Sequence, residues 1–199
     1  VYQIYLDGNK IGMIDNESDL YALINDEQKA IKEEYDVDQV YPPKGFSSEK
    51  YLTYNDTTTS VTNIYNQIKE AKDFTVKGYT ITVSSEETDT EEAKVLFRIN
   101  VLDKQIFEDA INQVIKSFIS QEKYDDYINN NQKEIIDTGS RIENIYFQEN
   151  ISIKETYVST EEKIFTSSDE LSKYLLFGAN NKEKMYNVKT GDTIASIAE

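Results

Sequence analysis

The sequence predicts an α+β fold of small antiparallel sheets with packed amphipathic helices, arranged in tandem units. Three observations predict it. Alternating apolar runs are punctuated by turn signals. Residues that cap helices are followed directly by apolar side chains at helical spacing. A hydrophobic fraction of 38%, with 15 tyrosines and 8 phenylalanines, supplies enough apolar area for a core in 199 residues.

Tyr2, Ile4 and Leu6 alternate with polar residues, and a second run, Lys10 to Ile14, follows Asp7-Gly8-Asn9. An Asp-Gly pair between such runs marks a tight hairpin, because a type I′ turn needs positive φ at both central residues. Asp15, Asn16, Glu17, Ser18 and Asp19 bring cap residues and first-turn acids. Leu20, Leu23, Ile24, Ala30 and Ile31 then outline the apolar face of a helix. Pro42-Pro43-Lys44-Gly45 interrupts regular structure and is read as the end of a first hairpin–helix unit, residues 1–44.

An α+β domain is expected over 45–182. Val61, Ile64, Tyr65, Ile68 and Ala71 repeat at helical spacing. Phe74 to Val83 alternates as a strand, and Ala93 to Leu102, with Val95, Phe97, Ile99 and Val101, reads as its antiparallel partner. The acidic Ser84–Glu92 stretch connects them. Asp103 is positioned to cap a core helix whose apolar face comprises Ile106, Phe107, Ala110, Ile111, Val114, Ile115, Phe118 and Ile119. A short helix and a turn are expected around Tyr124 to Gln132. Ile142–Phe147 and Ile151–Val158 read as paired strands, with a short strand ending at Phe165. Thr166 to Glu170 then caps a helix through Leu171, Tyr174, Leu175 and Leu176 that Gly178 terminates. Residues 141–178 thus echo the first unit, and Ala179 to Lys182 forms the second boundary.

Composition excludes several functions. With 37 acidic and 21 basic side chains the net charge is −16, which repels phosphate backbones; nucleic acid is not an expected partner. Histidine and cysteine are both missing, so the usual general base, the usual zinc ligands and a thiol nucleophile are missing too. No catalytic residue, metal site or cofactor is expected in this chain. Glu86-Glu87-Thr88-Asp89-Thr90-Glu91-Glu92 lacks the alternating acids and the glycine of a calcium loop and reads as a solvated connector. The first residues are already in strand register and no initiator methionine precedes them. A piece of a longer protein is therefore expected, and a missing signal peptide carries little weight.

The most specific pattern is Tyr186, Val188, Gly191-Asp192-Thr193-Ile194, Ile197 and Ala198. Tyr186 and Val188 would face one side of a strand, and Gly191 would allow a tight exit from it. Asp192 or Thr193 would cap a helix carrying Ile194, Ile197 and Ala198 at i, i+3 and i+4. This pattern resembles the opening of a LysM module, residues 183–199 forming its N-terminal fragment. The resemblance implies binding of peptidoglycan or another N-acetylglucosamine polymer in a shallow groove. One wall of that groove would be Gly191, Asp192, Thr193 and Ile194; the other would lie beyond Glu199. The arrangement of hairpin–helix units before a LysM module also resembles the region preceding a lysostaphin-type zinc endopeptidase. It implies an extracytoplasmic location in the wall or at the cell surface of a Gram-positive bacterium, with catalysis elsewhere in the parent protein. Two roles remain open for residues 1–182: a spacer, or a domain that binds a protein partner and shields or assembles a downstream enzyme.

Overall fold

The computed structural model describes residues 1–54 and 57–178. In the first hairpin, β1 (Tyr2–Leu6) and β2 (Asn9–Ile14) meet across a two-residue turn in which Asp7 and Gly8 have φ of 49° and 80°. Both are left-handed, as the Asp-Gly pair requires. Asn16 caps α1 (Glu17–Tyr35) by accepting from the Ser18 amide at 3.1 Å. Leu20, Ile24 and Ile31 form its buried stripe, Leu23 is half-buried, and Ala30 faces solvent. Asp36 ends the helix in the left-handed region.

The proline-rich stretch redirects the chain without ending a core. Gly45, with φ of 91°, leads into β3 (Phe46–Lys50), which pairs antiparallel with the free side of β1. The first sheet therefore has the order β2-β1-β3. Ser60 caps α2 (Val61–Ala71), which packs against α1 and β2 through buried Ile64 and Ile68. One apolar cluster joins Ile4, Ile14, Leu20, Ile24 and Ile31 to Ile64 and Ile68 across the division expected at residue 44.

The second sheet is built on β4 (Thr75–Ser84). Its hairpin partner β5 (Val95–Val101) is antiparallel, as the alternation predicts. Asp103 caps α3 (Lys104–Phe118) and Ser120 caps α4 (Gln121–Ile128). Residues 142–147 do not form the expected strand. β6 (Asn150–Ser159) pairs instead with β4 over ten residues, from Thr75↔Ser159 to Ser84↔Asn150. β7 (Ile164–Phe165) lies parallel to β5, and the order is β6-β4-β5-β7. Ser167 caps α5 (Ser168–Phe177), which packs on α3 and ends at Gly178 with φ of 77°.

The recurrence is therefore present but displaced. The order β1-β2-α1-β3-α2 repeats as β4-β5-α3-β6-α5, with α4 and β7 added. In both halves the first strand is flanked by the second and third, and the two helices pack together. The strand pair expected at 142–147 and 151–158 is corrected, since residues 142–147 form no strand and β6 pairs with β4. Ile81, Val83, Ile99, Val101, Phe107, Ala110, Phe165 and Leu171 form the second apolar cluster.

Candidate functional site

Gly191, Asp192, Thr193 and Ile194 lie outside the described residues, as does Ala179–Lys182. The other regions with functional potential are two open clefts that meet at Glu161, the acidic connector, and the outer edge of the second sheet.

The turn between β6 and β7 positions Glu161. Ser159 Oγ donates to Asp73 Oδ2 at 2.6 Å, and the Thr160 amide donates to the Phe74 carbonyl at 3.0 Å. The Glu161 amide donates back to Ser159 Oγ at 3.1 Å, which holds the backbone of this exposed residue in the turn. One cleft, about 420 Å³, is lined by Asn66, Lys69, Glu70, Asp73 and Glu161. Its neighbour, also about 420 Å³, is lined by Glu34, Tyr35, Glu161, Glu162, Lys163, Ile164 and Thr166.

Carboxylates outnumber ammonium groups in both clefts, and each lysine there is paired with a glutamate outside the lining. Lys69 Nζ bonds Glu27 Oε1 at 2.7 Å and lies 6.0 Å from the Tyr65 ring centroid. The hydrogen bond to Glu27 pushes the Lys69 ammonium above its usual range, against partial desolvation. Burial pushes the Tyr65 hydroxyl up, and the Glu27 carboxylate pushes it further. Tyr35 is raised by burial first and by Glu34 second. With Lys69 committed to Glu27, the groove favours cationic groups over anionic ones. Among the described residues no group of three or more His, Cys, Asp or Glu is placed to hold a metal ion.

The acidic connector is a solvent-exposed hairpin loop, closed by Ser85 donating to the Lys94 carbonyl at 2.8 Å and by Thr88 donating to that of Glu91 at 3.0 Å.

The chain matches no family model, no curated protein and no solved structure. The likeness to LysM modules thus rests on the residues Tyr186 to Ala198 themselves.

Sequence reasoning missed Glu161 because its setting depends on three segments far apart in the chain. β6 is legible as a strand, but its partner β4, and hence its open edge, is not. The alternation of Ile151, Ile153 and Tyr157 was the available signal.

Proposed function

We propose that this chain is a non-catalytic spacer and binding region of a bacterial cell-surface protein, attached to peptidoglycan through a LysM module that opens at Tyr186. The observation that carries the reading is the run Tyr186, Val188, Gly191-Asp192-Thr193-Ile194, Ile197 and Ala198. Aromatic, valine, turn glycine, cap and helical apolar positions all fall in one register. A repeated topology whose halves share an apolar cluster is consistent with a spacer, since it makes one packed body.

Half a groove binds poorly, so the experiment compares retention on purified peptidoglycan of three proteins. They are residues 1–178, the 199-residue chain, and the chain continued through a complete LysM module. Strong retention of the continued chain only, abolished by Gly191→Val, is the expected result. Equal retention of residues 1–178 would transfer wall binding to the tandem units. Failure of the continued chain to bind would end the reading.

A further inference from the structure

The outer edges of the two sheets are not alike. The β1–β2 pairing carries a register shift at Ile4/Tyr5, β3 has five residues, and β7 has two. Short or irregular edges resist pairing with other chains. β6 has ten residues, an unbroken register with β4, and neither proline nor glycine.

Its outward-facing backbone groups can be assigned. The Thr160 amide donates to the Phe74 carbonyl at 3.0 Å, continuing the β6–β4 register. On the other side of β4, Thr75 and Tyr41 exchange hydrogen bonds of 2.8 and 3.0 Å. Antiparallel pairs alternate between bonded and non-bonded positions. The N–H and C=O groups of Ile151, Ile153, Glu155 and Tyr157 therefore point away from β4. Among the described residues no strand meets them. Ile153 is 40% and Tyr157 59% exposed. Glu155 is drawn toward β4 by its ion pair with Lys77, and Lys154 projects from the opposite face.

Charge selects the occupant. β6 starts beside the acidic connector, where Asn150 Nδ2 donates to the Ser85 carbonyl at 3.4 Å. Glu86, Glu87, Asp89, Glu91 and Glu92 follow within that loop. A second copy of this chain would bring another −16 charge to the same place. We propose that the edge of β6 is a strand-addition site for an extended basic peptide. Its backbone pairs with Ile151, Ile153, Glu155 and Tyr157, its apolar side chains meet Ile153 and Tyr157, and its Lys or Arg side chains reach the 85–94 connector. This inference does not depend on the wall-binding reading.

Amide hydrogen exchange of the full chain, followed by NMR, tests it. The probe is a peptide of alternating Val and Lys as long as β6. Controls are an alternating Val and Glu peptide and a helix-forming Ala and Lys peptide of the same charge. The Val/Lys peptide slows exchange at Ile151, Ile153, Glu155 and Tyr157 by about tenfold, the scale of one backbone hydrogen bond. Positions 152, 154, 156 and 158 are already protected by β4. Ile153→Pro removes an outward amide only, which an edge strand tolerates, and weakens binding by about tenfold. Unchanged exchange at the four outward amides overturns the proposal. So does equal protection by the helical peptide, or unaltered binding by a folded Ile153→Pro protein. A dimer in sedimentation whose outward amides are protected without peptide assigns the edge to a second copy and overturns it as well. If Ile153→Pro fails to fold, the exchange pattern of the unsubstituted chain decides.

Discussion

Gly78 shows how a single hydrogen in place of a side chain lets strands approach. A Cβ there would lie 2.7 Å from the Val101 carbonyl oxygen and 3.4 Å from Val158 Cγ2. A backbone oxygen inside a ladder cannot move aside, so Gly78→Ala should cost about 3 kcal/mol, the upper end for overpacking. At Gly12 the crowding comes from the Ile64 and Thr59 side chains, which can rotate. Gly12→Ala should cost nearer about 1 kcal/mol. Urea unfolding of both variants checks this, and equal costs would contradict it. The tyrosines give a second test. Tyr35, Tyr65 and Lys69 all have raised pKa values in the fold. Each group binds its proton more tightly folded than unfolded, so its contribution is complete below the ordinary values of 10.0 for Tyr and 10.5 for Lys. It is lost as pH rises through the higher folded values. Stability measured from pH 8 upward should fall beyond pH 10, and Tyr65→Phe with Tyr35→Phe should flatten the decline. A steeper decline in the double variant would show the sign to be wrong. Caps were the residues most legible in the sequence: Asp103 holds the role read for it, and Asn16 and Ser167 are the caps within the stretches Asp15–Asp19 and Thr166–Glu170. Capping is a contact between residues two or three apart, so the sequence contains both partners.

Elements were legible where their evidence is local and misread where it is not. Among the described residues, the helices and the two hairpins built on β1 and β4 overlap the segments where periodicity, caps and turn residues place them. Ile142–Phe147 was expected to pair with Ile151–Val158, yet β6 found its partner in β4, some 75 residues earlier. A strand's alternation reports which face is apolar and says nothing of which strand lies beside it. Ile142 is instead held by Gln132, beyond the end of α4, which bonds both its amide and its carbonyl at 2.7 and 2.9 Å. α3 shows a related limit. Its sequence presents a broad apolar face, but only Phe107 and Ala110 are buried, and Phe118 is 78% exposed. Periodicity gives the width of a face, whereas burial depends on how much sheet and helix lie opposite. Phe107→Ala should therefore cost about 3–5 kcal/mol, and Phe118→Ala less than about 0.5 kcal/mol, as for other surface positions. Thermal unfolding of the pair decides. A large loss from Phe118→Ala would mean that the exposed end of α3 is covered in solution. The candidate site was less legible than the elements: its LysM-like residues are a sequence pattern outside the described fold, and the clefts at Glu161 arise only from packing.

For the whole molecule, the decisive feature is that the two recurring halves do not keep their apolar side chains apart. Phe74, Val76, Val158 and Ile164 come from the second half, yet they complete the cluster formed by Ile4, Ile14, Leu20, Ile64 and Ile68. Tyr41 extends the connection by pairing with Thr75 at the start of β4. The same two strands, β4 and β6, contribute Ile81 and Val83, with Ile151 packed nearby, to the second cluster. A strand shared by both clusters transmits the loss of one to the other, because its ladder cannot stay in register with half of its side chains unpacked. The halves should then unfold in one cooperative transition despite their repeated topology. Ile64→Ala in the first cluster and Ile81→Ala in the second each remove a fully buried side chain, at about 2–5 kcal/mol. Both should lower the midpoint of that transition, by about 2–4 °C for each kcal/mol. Calorimetry read beside circular dichroism tests the coupling. Two resolved transitions, one moved only by Ile64→Ala and the other only by Ile81→Ala, would show the halves to be independent. Val158→Ala distinguishes coupling through β6 from coincidence of two similar midpoints. It removes a side chain of the second sheet from the first cluster, so a coupled fold keeps one transition at a lower midpoint, whereas uncoupled halves separate into two.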